Sequence, residues 1–262
     1  MTDEADQKVV QSLPDGRAVS CANPTEVSIL WQEITTDSSY LTGVDGLDSD
    51  ALIIDVGAHI GLASMFFSDH LANARILAFE PVPRTFTCLQ ENLARHAPHA
   101  EVFCLALAAA SGSRELTYYP LIPCMSTLYV DEKDDRRNGE AAISNLDLGD
   151  SEEEFRRQGQ ISHVGENLIV EATTLSAVVQ RYDLDVVDLL KIDVERAELE
   201  VLNGIDEALW PRIRRLVIEV HDIGQRLKQV VNWLRELGYR ADCSQAPLFV
   251  GGSVHMVVAT RD

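Results

Sequence analysis

The run Ala51-Leu52-Ile53-Ile54-Asp55-Val56-Gly57-Ala58-His59-Ile60-Gly61 decides how the rest of the chain is read. It opens with a short apolar, β-branched segment, the pattern of a strand buried on both faces. Asp55, Gly57 and Gly61 follow, and Leu62-Ala63-Ser64-Met65-Phe66-Phe67 begins an apolar-rich helix. Strand, glycine turn and helix in that order bring backbone close to a nucleotide-like ligand in α/β domains. Gly57 permits a tight turn with no Cβ in the way, and Gly61 lets the start of the helix pack closely.

One βα unit later, Ile76-Leu77-Ala78-Phe79-Glu80 is a second apolar strand, and it ends in an acid. Glu80 lies about 20 residues beyond the glycine turn, where such folds place a carboxylate to accept hydrogen bonds from ribose hydroxyls. The pair points to an adenosine-containing cofactor. The dinucleotide fingerprint G-x-G-x-x-G fails, because His59 stands where its second glycine admits a pyrophosphate. S-adenosylmethionine carries an amino-acid tail and a sulfonium instead of a pyrophosphate, so the turn suits it better than NAD. A βα turn without a ligand is the plainer alternative.

The length of 262 residues suits one α/β domain with an insertion. No apolar run is long enough for a transmembrane helix. The acidic start Met1-Thr2-Asp3-Glu4-Ala5-Asp6 lacks the basic and apolar regions of a signal peptide. The five cysteines, Cys21, Cys88, Cys104, Cys124 and Cys243, are scattered, with no C-x-x-C and no zinc spacing. They read as reduced thiols of a cytoplasmic protein. A net charge of −20 argues against a nucleic-acid partner and an anionic membrane surface. Arg212, Arg214 and Arg215 form a local basic patch that an acidic carrier protein could use. A homodimer stays open.

Before the central run, Leu13-Pro14-Asp15-Gly16-Arg17 is a hairpin turn, and Asn23-Pro24-Thr25-Glu26 starts a helix. Residues 1–50 therefore read as a hairpin-and-helix extension, and 51–262 as the cofactor-binding domain. A helix is expected from Phe86 to Arg95, a third strand over Glu101–Leu107 and an extra strand at Leu116–Tyr119. Residues from about 120 to 166 break the pattern. The charge runs Asp131–Arg137 and Asp147–Glu154 make this insertion either a solvated loop or a lid over the site. Strands resume at Leu168–Ala172, Asp188–Asp193 and Arg215–His221, with a helix from Thr174 to Tyr182 and another begun by Glu195, Arg196 and Glu198. Two closing strands over Tyr239–Cys243 and His255–Thr260 suggest an antiparallel edge. The whole reads as a doubly wound, seven-stranded α/β sheet of the class I methyltransferase (Rossmann-like) kind rather than the symmetric dinucleotide fold.

The chain resembles the FkbM family of S-adenosylmethionine-dependent methyltransferases. The matching pieces are Asp55–Gly61, Phe79-Glu80-Pro81, Leu190–Glu198 and Glu219-Val220-His221. The resemblance implies a class I methyltransferase that methylates oxygen, often on bacterial natural products or sugars. Two positions depart from the family pattern, which usually has Asn at the place of His59 and Gly at that of Arg196. Arg196 would put a charge near the substrate.

In such an enzyme the acceptor oxygen must sit about 3 Å from the transferred methyl and lose its proton. Asp55, Gly57, His59 and Gly61 are expected to seat the methionine part and Glu80 the ribose. Adenine is expected between Pro81 and Leu107. His221, at a strand end with a pKa near working pH, is the expected general base, with a hydrogen-bonded structural histidine as the alternative. Asp193 and Glu195 sit at the neighbouring strand end. They would orient substrate, act as base or, with Glu219 or His221, hold magnesium, although no metal site is assigned. A nicotinamide-dependent oxidoreductase and a catalytically inactive methyltransferase fold are the rival readings. The acceptor is expected to be a small molecule, free or carrier-tethered.

Overall fold

The computed structural model describes residues 8–145 and 164–261. Val9–Ser12 (β1) and Ala18–Cys21 (β2) pair antiparallel around the Leu13–Arg17 turn, as their turn chemistry requires. Asn23 then caps helix α1, Pro24–Thr36, its side chain accepting from the Thr25 N–H at 3.0 Å. Asp37 caps a second short helix, α2, Ser38–Val44, which carries too few apolar repeats to be read from sequence.

The core alternates strand and helix: β3 Leu52–Val56, α3 Leu62–His70, β4 Arg75–Phe79, α4 Pro83–His96 and β5 Ala100–Phe103. The expected third strand breaks after Phe103. Ala106–Leu107 (β6) joins Gly112–Tyr118 (β7) and Glu166–Thr173 (β8) in a separate three-stranded sheet. Between β7 and β8 lies helix α5, Glu132–Asn145. Helix α6, Leu175–Arg181, β9 Leu189–Ile192, α7 Glu198–Asn203, β10 Arg215–His221, α8 Arg226–Glu236, β11 Arg240–Ser244 and β12 Val254–Thr260 complete the chain.

The main sheet has seven strands in the order β11-β12-β10-β9-β3-β4-β5. All central pairs are parallel, and β12 runs antiparallel to both β10 and β11. The class I methyltransferase sheet read from the sequence is thus present. Its strands are apolar on both faces because both are covered. Ile53, Ile76 and Leu189 pack with α1 to α4, whereas Ile54, Leu77 and Leu190 pack with α6 to α8. Asn92 on α4 ties the hairpin to the glycine turn. Its amide donates to the carbonyls of Ser20 (2.9 Å) and Ile60 (2.8 Å) and accepts from Ser20 N–H.

Three expectations change here. The charge run Asp131–Arg137 is not a loop: from Glu132 it is helical, with Glu132, Lys133, Arg136 and Arg137 exposed and Asp134 and Asp135 buried against Arg196. The second run, Asp147–Glu154, lies outside the described residues. Glu195 and Arg196 do not begin a helix: both hold positive φ, 48° and 75°, and α7 starts at Glu198. Arg212, Arg214 and Arg215 make no free basic patch. Arg212 donates to the carbonyls of Leu184 and Asp185, Arg214 pairs with Asp188, and Arg215 donates to the carbonyls of Thr42, Gly43 and Asp45 at the end of α2. Arg215 also opens β10, so this group sits at the end of the sheet opposite His221. Among the described residues no helix is long and apolar enough to cross a membrane.

Candidate functional site

A cavity of about 670 Å³ opens over the carboxyl ends of β3, β4, β9 and β10, where the strand order changes direction. The turn after β3 forms one wall. Gly57 is needed there for reasons internal to the chain: φ is +75°, and a Cβ would lie 1.7 Å from the Asp193 carbonyl oxygen. Two strand-end turns thus pass at backbone contact. Gly61 (φ +94°) faces Leu89 and Leu93 of α4, so it serves helix packing and lies outside the cavity lining.

Asp55 is fully buried and does not line the cavity. Its carboxylate accepts from Ser64 Oγ at 2.7 Å and stands 3.1 Å from Lys191 Nζ. Lys191 also donates to the Gly57 carbonyl at 2.8 Å and lies 3.3 Å from Asp193. Although burial opposes its charge, Asp193 and Asp55 raise Lys191 above its ordinary range. The sequence reading missed this lysine. Its signal was a lone charge inside the apolar strand Leu189–Ile192.

His59 (φ 50°) donates its backbone N–H to Glu80 at 3.1 Å. Burial, with Lys191 nearby, pushes its imidazole down to about 3, so the ring is neutral. Its Nε2 has no hydrogen-bond partner among the described residues. Glu80 also accepts from the Val82 N–H at 2.9 Å, which fixes both oxygens while leaving lone pairs toward the void. Burial raises Glu80 to about 7. Pro81, Leu105, Ala106 and Leu107 line the adjoining apolar recess. Gly57, His59, Glu80, Pro81 and Leu107 therefore share one cavity, whereas Asp55 and Gly61 support its wall from behind.

Beyond the Gly57 turn the lining of the same cavity becomes acidic. Asp193, Glu195, Glu219 and His221 all line it, together with Glu26 and Glu33 from α1. Burial raises Asp193 to about 6 and Glu26 to about 7, and lifts Glu33 and Glu219 as well. His221 Nδ1 lies 3.0 Å from Asp134 Oδ2, and Nε2 lies 3.1 Å from Glu195 and 3.7 Å from Glu219. Burial opposes the imidazolium, but Glu195, Asp134 and Glu219 outweigh it and raise His221 well above its ordinary range. His221 thus makes the contacts of a hydrogen-bonded histidine at the strand end.

Arg196 does not face the substrate space. It is 2% exposed, donates to Asp135 at 2.5 Å and to the Tyr129 carbonyl at 2.9 Å, and stands 3.3 Å from Asp134. It thereby fastens α5 and the segment before it over the acidic end. Asp134, held at about 2 against its burial by His221, Ser253 and Arg196, was not anticipated. It lies in a charge run with nothing local to mark it as buried.

A model described as the Methyltransferase FkbM domain matches residues 55–241. The chain belongs to the FkbM methyltransferase family. It is similar to the 31-O-demethyl-FK506 methyltransferase FkbM of Streptomyces tacrolimicus, with 35% identity over 95% of each chain. It is 33% identical, over 95% of its length, to part of the AMB antimetabolite synthetase AmbE of Pseudomonas aeruginosa, covering 12% of that protein. It is also 34% identical to the methyltransferase sdnD of Sordaria araneosa over 82% of each. Membership in this family removes the basis for the oxidoreductase reading.

Proposed function

We propose that the protein is an S-adenosylmethionine-dependent O-methyltransferase acting on a hydroxyl of a small molecule, free or carrier-tethered. One observation carries the reading: the glycine turn with Glu80 and the acid cluster at β9 and β10 open into a single cavity. The likeness to a methyltransferase whose name specifies an O-demethyl substrate supports oxygen as the acceptor atom.

The residues divide the work. The Gly57–His59 backbone, with the neutral His59 ring beside it, receives the amino-acid tail, and Glu80 accepts from the ribose hydroxyls. Pro81 and Leu107 border the adenine. The cofactor's sulfonium supplies a methyl on a good leaving group. The acceptor oxygen has to lie in line with that methyl and shed its proton. Asp193 is the group we assign to take it. Lys191 keeps it beside the turn, and its backbone forms the cavity wall with Gly57. His221 and Glu195 position the acceptor. Residues 120–145, fastened by Arg196, act as the lid.

Calorimetric titration with S-adenosylhomocysteine, and NAD in a parallel cell, tests the cofactor. Binding of the homocysteine compound alone supports the reading, and binding of NAD alone overturns it. Exchange of Asp193 for Asn is expected to lower turnover roughly a hundred- to ten-thousandfold while S-adenosylhomocysteine still binds. A wild-type protein that binds the compound but turns over no hydroxylated acceptor would be an inactive methyltransferase fold.

A further inference from the structure

Several buried acids in and behind the cavity wall have a cation of their own. Asp55 and Asp193 face Lys191, Asp134 and Asp135 face Arg196, and Glu198 pairs with Arg226. Glu195 and Glu219 differ. Among the described residues the one basic group within 4 Å of them is His221, at 3.1 and 3.7 Å, while Arg196 and Lys191 act on them from farther off. His221 is 3% exposed, and its Nε2, which faces both carboxylates, has no aligned hydrogen-bond partner among the described residues. One ligand atom from each of the three groups falls within 4.8 Å of the others.

The back of the imidazole is fixed. Nδ1 lies 3.0 Å from Asp134 Oδ2, a carboxylate that can only accept, so the Nδ1–H points away from the cavity. The Asn138 amide (3.2 Å) and Arg196 (3.3 Å) hold that carboxylate in turn. A histidine backed by a carboxylate in this manner presents its other nitrogen as an oriented ligand. Two donors about 2.1 Å from one ion at right angles stand about 3 Å apart, so the triangle closes on an ion with only small side-chain rotations.

We propose that Glu195, Glu219 and His221 Nε2 bind one divalent cation of the manganese or zinc class. The imidazole nitrogen decides the class, because magnesium prefers oxygen donors and water whereas imidazole suits transition ions. Three protein ligands leave coordination positions toward the cavity, where one or two neighbouring acceptor oxygens would bind. That role rests on the methyl-transfer reading, but the site itself does not.

The test uses the full chain, stripped with EDTA and then titrated with MnCl2 or MgCl2 alone by calorimetry, with pulsed electron paramagnetic resonance on the manganese sample. We expect one manganese ion to bind at least tenfold more tightly than magnesium, with a coupling to an imidazole nitrogen. Glu219→Gln and Glu195→Gln should each weaken it at least tenfold. Exchange of the exposed Glu236 for Gln should leave it unchanged. Circular dichroism on each variant confirms folding. No binding, binding insensitive to both Gln variants, or the absence of a nitrogen coupling each overturns the site. S-adenosylhomocysteine binding, read separately on the stripped protein, distinguishes loss of the metal from loss of the methyltransferase reading.

Discussion

The two ends of the cavity are made by opposite means. At the Gly57–Glu80 end, backbone and shape dominate: a glycine at positive φ, two N–H groups on one carboxylate, and an apolar recess at Leu105–Leu107. At the Glu195–His221 end, paired charges dominate, held by residues from three distant parts of the chain: α5, the β9 turn and β10. The first arrangement tolerates an empty or filled site at little cost. The second stores buried charge and depends on every partner being present.

This contrast predicts which substitutions hurt most. Arg196→Ala leaves Asp134 and Asp135 buried with less compensation, and breaking a buried pair costs about 3–5 kcal/mol. The melting temperature should fall by roughly 10 °C, at about 2–4 °C per kcal/mol for a chain of this size. Scanning calorimetry would show it, and a fall under about 2 °C would mean α5 is not fastened by charge. Gly57→Ala attacks the other end. Its methyl meets the Asp193 carbonyl at 1.7 Å in a left-handed turn, so a loss of about 3 kcal/mol is expected, together with loss of S-adenosylhomocysteine binding. Retained affinity would show that the two strand-end turns part without consequence.

The sequence made these ends unequally legible. The Asp55–Gly61 turn and Glu80 belong to consecutive βα units, and their residue types follow from local geometry, so reading along the chain finds them. Even there the roles shifted. Asp55 and Gly61 stand behind the wall because their spacing marks the turn without telling which side chains face the ligand. The acidic end depends on contacts across the sequence. Asp135 meets Arg196 61 positions later, and Asp134 meets His221 87 positions later. Helix α5 keeps most of its charges exposed, and only these partners explain why Asp134 and Asp135 are buried. The same blindness made Arg212, Arg214 and Arg215 look available, since backbone carbonyls that satisfy an arginine leave no mark in the sequence.

A smaller effect links the two ends through Glu26, which stands 3.7 Å from His59 and accepts from the Cys124 N–H at 2.7 Å. Burial raises it from 4.5 to about 7, so between those values the folded chain holds a proton that the unfolded chain has lost. Its contribution to stability is full below about 4.5 and fades as pH rises through 7. Glu80 acts in the same direction over the same window. Each group loses about 1.4 kcal/mol between pH 6 and pH 8, so melting curves of the ligand-free protein should shift down by about 5–10 °C over that range. Glu26→Gln, which keeps the acceptor oxygen, should flatten that slope. An unchanged slope in the variant would remove Glu26 from the account.

The most direct test of a cavity with a cofactor end and an acceptor end is calorimetric titration of S-adenosylhomocysteine into the wild type, Glu80→Ala and His221→Gln. Loss of charged hydrogen bonds at Glu80 should weaken binding by about ten- to a hundredfold. His221→Gln should leave affinity within about twofold, because that residue belongs to the proposed acceptor side. Equal loss in both variants, or undiminished binding in Glu80→Ala, would contradict the division of the site.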